Sequence, residues 1–546
     1  MAGTPRVAGS SIDVGAYEFR DEREQANAVL TFDGQKESII LRLMTTDGNL
    51  KFRVGSAIYT VSNAQPNVNK AVEIPLEGAN CIEILAPGLS RLNVSEQGLT
   101  KIDVTAAPQL TILQAGTNAL TALDVSKNTM LTGIYAENNS IASLDLTNNK
   151  ALRVLQVFSN KLSGTLDLSA MDDLSSVDID NNSVAALILP HHGKLVEINC
   201  EGNKLTSLDI AGRAGLRDVN LYDNNVTALD LTGLVALEAL YAGNNAIAEV
   251  KGLDGCKVLE TLNISGNRLT EIDLSGAKAL TGLYLYDNEL TSLDISANNE
   301  IAWMNVNNNH LAALDISHLS NLRLLHACGN EISELDLSNS PYCQQLTVAD
   351  NRLATLDVSR QTALYWLKAD GNELSDIDLS ANTYLSLLEI GRNKLTTLDV
   401  SKNTMLRRIA AEDNNLSALD IAGLGELCGL EIQGNDMEAD AINAVIAALP
   451  DVNGQEPLAG SEWISILNIS DMPGTSAADV AAAQQKGWRV TATSGIESAE
   501  AEINAEVVAV SYWSLTGQRL QPPAGICTAR LTLADGSTVT RKICVK

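Results

Sequence analysis

An asparagine recurs every 21 residues over most of the chain, with two steps of 22. The sixteen asparagines in this register are Asn118, Asn139, Asn160, Asn182, Asn203, Asn224, Asn245, Asn267, Asn288, Asn309, Asn330, Asn351, Asn372, Asn393, Asn414 and Asn435. Around each one the residues follow L-x-x-L-x-L-x-x-N-x-L and then T-x-L-D-[LVI]-S. A fixed period of this length predicts a solenoid, in which each repeat contacts its neighbours. The length of 546 residues therefore does not require several compact domains.

The x-L-x-L segment of each repeat predicts a short strand whose leucines point into the solenoid. Successive strands are then expected to pair in parallel. The asparagine follows the strand, where its amide can satisfy buried backbone groups that would otherwise cost free energy. We therefore interpret this asparagine ladder as structural.

A second ladder of aspartates follows six residues after the asparagines, as at Asp124, Asp145 and Asp294. Asp167 joins it one residue late. Carboxylates on neighbouring coils, about 4.8 Å apart, repel one another. Each is therefore expected to accept hydrogen bonds from a following Ser, Thr or turn N–H. A calcium ladder is the alternative, although the glycine-rich nonapeptides of calcium-binding β-helices are missing. Ile188 and Lys251 replace the aspartate in two coils, where a local difference is expected.

Segments such as NKLTSLDIAG, NELTSLDIS and NKLTTLDVSKNTMLRRI resemble the internalin-like leucine-rich-repeat surface proteins of bacteria. The resemblance implies a leucine-rich-repeat solenoid of the α/β-type horseshoe, with 21–22-residue repeats and a parallel sheet on the concave face. It also implies an exported or outer-surface protein that works by adhesion or ligand capture. No catalytic residue is carried over.

In such a horseshoe, the strand residues between the leucines face the concave side. Eight of the eleven aromatic residues between positions 97 and 435 fall there. The predicted ligand-binding surface consists of Tyr222, Tyr241, Tyr284, Tyr286, Trp303, His326, Trp366, Asp218 and Asp287. Aromatic rings beside carboxylates suit a neutral or basic ligand, either a carbohydrate or a protein. The alternative is that a parallel sheet simply favours aromatic residues.

Composition argues against several classes of function. The formal net charge is −29, so the basic face that nucleic acids or anionic lipids require is not expected. No apolar run reaches the roughly 18 residues of a membrane helix. Metalloprotease, nucleophile-elbow and phosphate-loop motifs are missing, so we predict no enzyme, no cofactor and no metal. A structural spacer or display scaffold, or a non-catalytic accessory to glycan processing, are the alternatives to a binding protein.

The sequence outside the repeats predicts smaller end domains. We expect a tail at 1–24, an N-terminal β-rich cap at 25–88, repeats at 89–436, a C-terminal cap with two helices at 437–495 and an all-β module at 496–546. The cap helices are indicated by EADAINAVIAALP and SAADVAAAQQKGW, the second beginning near Ser476 and Asp479 and ending at Gly487.

The last module shows strand alternation around Asp535-Gly536, a type I′ hairpin signal. A two-residue turn there places Cys527 opposite Cys544, which predicts a disulfide and a location outside the cytosol. Two reduced strand cysteines are the alternative. The run YWSLTGQRL…GICTARL…VTRKICVK resembles the C-terminal sorting domains of Gram-negative surface and type IX-secreted proteins. A secreted or outer-surface location is therefore expected, although Met1-Ala2-Gly3-Thr4-Pro5 lacks the features of a signal peptide.

Overall fold

The computed structural model describes residues 25–32, 36–62, 64–191, 193–453, 465–492, 507–513, 519–520, 525–533 and 538–545. The predicted tail at 1–24 lies outside the described residues. The chain forms two compact units, Met1–Glu373 and Leu374–Lys546, and each is described by itself.

The first unit begins with antiparallel strands. One sheet has the spatial order Ala57–Thr60, Lys51–Val54, Cys81–Leu85, Ala28–Phe32 and Leu99–Asp103. A second group joins Ser38–Thr45 to both Lys70–Pro75 and Leu89–Asn93. Alternate residues such as Leu41 and Leu43 are fully buried while the residues between them face outward, as the two-residue period of a strand requires. These strands cover the first edge of the parallel sheet that follows.

Beyond Leu89–Asn93, the sheet that this strand begins continues in parallel strands, one per coil. They are Ile112–Gln114, Gly133–Tyr135, Val154–Gln156, Ser176–Asp178, Glu197–Asn199, Asp218–Asn220, Ala239–Tyr241, Thr261–Asn263, Gly282–Tyr284, Trp303–Asn305, Leu324–His326, Gln345–Thr347 and Trp366–Lys368. Equivalent residues of successive strands lie side by side. Leu283, for example, lies beside Met304, and Tyr284 lies beside Asn305. The central residue of each strand is buried. The period-2 pattern of leucines therefore builds one continuous interior within this unit.

The return half of each coil is a run of turns, with a 3-10 helix at Leu253–Gly255. Two additional parallel pairs lie in this half: Ser163–Asp167 with Ser183–Ile188, and Ala228–Asp230 with Glu249–Lys251. They end at the two positions where Ile188 and Lys251 replace the ladder aspartate. The local difference expected at these coils is confirmed.

The asparagine ladder is structural, as Asn288 illustrates. Its Oδ1 accepts the N–H of Leu269 in the preceding coil at 3.0 Å. Its Nδ2 donates to the carbonyl oxygens of Ile264, Leu285 and Tyr286 at 2.9, 3.0 and 3.4 Å. One side chain thus satisfies four backbone groups, in its own coil and in the one before.

The residue before each ladder asparagine has a positive φ in all sixteen coils, for example 55° at Asp287 and 62° at Gly266. This left-handed conformation is favoured by Gly, Asn and Asp. Those three residue types fill most of these positions, which explains the recurrent N-N, D-N and G-N pairs of the sequence.

The aspartate ladder caps its own turn. Asp294 Oδ1 accepts the backbone N–H of Ser296 at 2.9 Å, and Asp145 accepts both the N–H and the hydroxyl of Thr147. These bonds favour the charged form and lower the pKa of both carboxyls. The expected hydrogen bonds are therefore confirmed.

A second set of buried amides was not predicted from the sequence. It consists of Asn128, Asn149, Asn298, Gln361, Asn382 and Asn403. Asn298 Nδ2, for example, donates to the carbonyl oxygens of Leu274 and Ala277 in the preceding coil at 3.1 and 2.8 Å. These amides tie the return turns together as the ladder asparagines tie the strand ends.

The second unit continues the pattern with its own parallel strands. They are Leu387–Glu389, Arg408–Ala410, Gly429–Glu431, Ile466–Asn468 and Arg489–Thr491. The last two come after the repeats and extend the sheet beyond Gly429–Glu431. Helices Ala439–Ala448 and Val480–Gln485 are the α-helices of the described chain. The side chain of Asp479 caps the second by accepting the N–H of Ala482 at 3.1 Å.

Four antiparallel strands follow, in the order Arg519–Leu520, Val507–Trp513, Gly525–Leu533 and Thr538–Val545. Here the predicted register is wrong. Cys527 lies opposite Ile543, and Cys544 lies opposite Ile526. Thr532 pairs with Thr538, so five residues lie between these two partners. A two-residue turn would instead leave an even number of residues between any two paired positions. The Cys527–Cys544 disulfide stays a prediction.

Candidate functional site

The strands carry one row of side chains that face away from the interior. We call this the strand face and define it by the residues two, four and six positions before each ladder asparagine. Trp303 is its most exposed large ring, with 44% of its surface accessible. Tyr222, Tyr241, Tyr284, Tyr286, His326 and Trp366 also lie on this face and are half-buried. The structure thus places all seven predicted rings on one face of the first unit.

Tyr222 lies flat along the sheet. A Cβ at Gly243, in the next coil, would lie 2.1 Å from Cε2 of the Tyr222 ring, so the ring occupies the space that this glycine leaves open. The Tyr222 hydroxyl lies near Ser265 and Tyr286, which both influence its pKa. Burial, followed by the interaction with Tyr286, raises the pKa of Tyr222 to about 12. Tyr222 and Tyr286 therefore approach each other across the intervening coils, and we call this pair the tyrosine bridge.

Tyr284, Trp303 and Asn305 occupy adjacent strands. Gly282 pairs with Trp303, and Tyr284 pairs with Asn305. Burial raises the pKa of Tyr284, with a further contribution from Tyr241. The exposed indole therefore stands beside a phenol and an amide, an arrangement suited to stacking and to hydrogen bonding.

His326 contacts Trp366 rather than Trp303. The ring centres of His326 and Trp366 are 6.1 Å apart, with an angle of 71° between the planes. Burial lowers the pKa of His326, so the imidazole is neutral at pH 7. Within the described part of the chain, His326 Nε2 and Trp366 Nε1 have no hydrogen-bond partner.

The acidic side chains of the face lie apart from the exposed indole. Asp178, Asp180, Glu197 and Glu201 precede Asp218 on neighbouring strands. Burial is the main cause that raises the pKa of Asp178 to about 6 and also raises that of Asp218.

Asp287 lies at the left-handed turn after its strand, where its Oδ1 accepts from Asn308 Nδ2 at 2.7 Å. It is a turn residue at the edge of the face. The acidic residues of the face in the first unit therefore concentrate in coils before Trp303, although Tyr222 lies in the coil of Asp218 and Asp370 pairs with Lys368 at 2.9 Å in the coil of Trp366.

The uncharged polar residues between the rings were not chosen from the sequence. Asn305, Asn307 and Gln345 lie on the strand face between Tyr284 and Trp366, and Gln345 Nε2 donates to the Tyr365 hydroxyl. The sequence could have indicated these residues, because they lie at the same distances before a ladder asparagine as the rings do. They were missed because amides do not stand out in a sequence rich in asparagine.

The sequence matches no protein-family model and no curated protein. Among solved structures, the functional domain of InlJ from Listeria monocytogenes, which includes a cysteine ladder, is similar with a TM-score of 0.51 and 20% identity. That match covers 84% of this chain and 92% of InlJ. A leucine-rich-repeat protein of Leptospira interrogans is similar with a TM-score of 0.52 and 22% identity, over 65% of this chain and 93% of that one.

The fold is an internalin-like leucine-rich-repeat solenoid. The 21-residue period, the parallel strands and the asparagine ladder agree with these two comparisons. The expected α/β horseshoe has little helix: the α-helices that the structure describes lie after the repeats, and the return half of the coils consists mainly of turns, with the 3-10 helix at Leu253–Gly255. In a leucine-rich-repeat protein of this kind, the strand face displays one set of side chains per coil, so it can present a long and varied surface.

Two further features of this leucine-rich-repeat protein bear on its chemistry. In the described ranges, no group of three or more His, Cys, Asp or Glu side chains is arranged to hold a metal ion. Among the helices that the structure describes, none has the length and apolar character needed to cross a membrane.

Proposed function

We propose that this leucine-rich-repeat protein is a non-catalytic binding protein of the cell surface or extracellular space. It recognises a protein or glycan partner on the strand face, around Tyr284, Trp303 and Trp366. The observation that carries the proposal is the Trp303 indole, 44% exposed on a parallel sheet whose other rings are half-buried. An exposed indole of this kind is a common anchor of a recognition surface.

The surroundings of Trp303 support a neutral or basic partner. Side chains from Tyr284 to Gln345 on this face are uncharged, including Asn305 and Asn307. The acidic zone at Asp178 to Asp218 lies on earlier strands of the same sheet. A partner that stacks on the indole and extends toward that zone gains from a neutral or positive surface. The bridge of Tyr222 and Tyr286 serves as a preformed support rather than as a contact point.

The test is a binding screen of the whole chain on glycan and protein arrays. The test variant is Tyr284→Ala/Trp303→Ala/Trp366→Ala. The matched control is Met130→Ala/Val235→Ala/Tyr342→Ala, which removes three exposed apolar side chains from return turns of the same unit; these side chains are 51%, 56% and 60% exposed. We expect the test variant to lose binding at least tenfold, which corresponds to about 1.4 kcal/mol, and the control to retain it.

Binding that survives in the test variant, or that falls equally in both variants, would contradict the strand-face site. A chain that binds nothing on either array would favour the spacer or display-scaffold function. The class of the hit, protein or glycan, decides between the two partner types.

A further inference from the structure

A separate cleft of about 240 Å³ lies where the N-terminal strands meet the first coils, within the first unit. Its walls include Arg42, Arg91, Asn93, Ile112, Gln114 and Tyr135. The volume is below the roughly 300–1,000 Å³ of sites that enclose a whole small molecule. The cleft therefore fits one end group of a ligand.

The register places the two arginines together. Arg42 lies opposite Asn93, and Arg91 lies opposite Met44, on the antiparallel strands Ser38–Thr45 and Leu89–Asn93. The arginines are therefore diagonal neighbours on the outward side of the sheet. Diagonal positions are roughly 7–8 Å apart, which long side chains can span. Both guanidinium groups can reach a single ligand group in the cleft.

Neither arginine is neutralised by a residue that the structure describes. Among the described residues, Arg42 and Arg91 have no ion-pair or hydrogen-bond partner, and both are exposed. The acid nearest in register, Glu73, lies diagonal to Arg42 and accepts a hydrogen bond from Ser38 Oγ at 2.8 Å. Two unpaired guanidinium groups side by side repel each other. An anion between them removes that repulsion, and a carboxylate matches the fork of a guanidinium group.

The rest of the wall indicates what is attached to the carboxylate. Ile112 lies beside Arg91 and Gly133 in register, and Gln114 lies between Asn93 and Tyr135. The Tyr135 ring folds back over Gly133, where a Cβ would lie 2.9 Å from Cε2. An apolar side chain and an aromatic ring thus stand next to the two charges. They suit an aromatic or aliphatic stem.

We propose that this cleft binds the carboxylate-bearing end of a ligand with an aromatic or aliphatic stem. The C-terminal residue of a peptide and a free carboxylic acid present the same chemistry. The cleft lies outside the surface around Trp303, so this proposal can be tested independently of the proposed function.

The test is calorimetric titration of the full chain with N-acetylphenylalanine and with its neutral amide. We expect the acid to bind at least about tenfold more tightly, since charge-assisted hydrogen bonds are lost with the amide. The Arg42→Gln/Arg91→Gln variant should bind the acid at least about tenfold more weakly than the unchanged protein. The matched control, Arg153→Gln/Arg323→Gln, removes two exposed arginines elsewhere on the unit and should leave the affinity unchanged.

Three results would overturn the proposal: equal affinity for acid and amide, no binding of the acid, or an equal loss in the control variant. Inorganic phosphate that binds more tightly than the acid would also overturn the carboxylate assignment. If the proposal holds, titration with acetyl-Gly-Gly-Phe distinguishes the C-terminal residue of a peptide from a free carboxylic acid. A tighter complex than with N-acetylphenylalanine indicates a peptide end, and an equal affinity indicates a free acid.

Discussion

At the scale of single residues, the fold depends on amide side chains that bond to the backbone. The ladder asparagines could be predicted because one residue type recurs at one spacing. The second set, including Asn128 and Asn298, could not, because Leu319 and Ser340 occupy the equivalent positions in other coils. Sequence periodicity reveals a role only where a single residue type fills it.

The pKa values of aspartates on the strand face are raised, whereas those of the aspartate ladder are lowered. The first prediction concerns Asp178. Burial raises its folded-state pKa from 3.8 to about 6. As the pH rises through that window, the unfolded state loses its proton first, so the free energy of unfolding falls. Asp178→Asn should therefore stabilise the protein at pH 7 by about 1–2 kcal/mol after discounting for solvent screening. The gain should disappear below a pH of about 4.

Urea unfolding at several pH values measures this effect, and Asp273→Asn is the matched control. The hydroxyl and backbone N–H of Ser275 lower the pKa of Asp273, so that substitution should destabilise the protein at pH 7. Effects of the same sign in both variants would contradict the assignment.

At the scale of the strand, the pattern of leucines predicted which residues face inward and which face outward. It did not predict the direction in which an outward side chain lies. Tyr222 follows the sheet because Gly243 and Ser265 leave room for its ring in later coils. That outcome depends on residues one and two periods away, which a single repeat does not contain. The seven rings were therefore placed on the correct face, while their contacts had to come from the structure.

Gly243→Ala tests this packing. The new Cβ would lie 2.1 Å from the Tyr222 ring. The ring must therefore move away from the sheet and lose its interaction with Tyr286. The pKa of Tyr222 should then fall from about 12 toward 10, and stability should fall by roughly 1–3 kcal/mol. An ultraviolet titration of phenolate formation measures the first effect. Gly255→Ala is the control, because no atom lies within 4 Å of its added Cβ, and a titration curve unchanged by Gly243→Ala would contradict the bridge.

At the scale of the whole molecule, the ends of the parallel sheets are closed by strands that do not carry the repeat. Antiparallel strands precede the repeats in the first unit, and Ile466–Asn468 and Arg489–Thr491 follow them in the second. The sequence predicted both caps because the asparagine period stops there. It did not predict the division between Glu373 and Leu374, because coils on both sides of that point share the same pattern.

Removal of the C-terminal cap is the prediction at this scale. A chain that ends at residue 436 loses Met437, Ile442 and Val445, which are buried, and uncovers the edge of Gly429–Glu431. We expect it to aggregate, since exposed apolar edges associate. A chain that ends at residue 495 keeps the cap and should stay monodisperse in analytical ultracentrifugation. If both chains behave alike, the cap is not what keeps this end from associating.

The reach of each ladder asparagine has a consequence for how such a protein changes over generations. Asn288 bonds only to its own coil and to the one before it, and its partners are backbone atoms. An in-frame duplication or loss of 21 codons therefore leaves every such bond reproduced, whatever side chains the new coil displays. Unequal recombination can lengthen or shorten the array, and later point mutations can diversify its surface without rebuilding its interior.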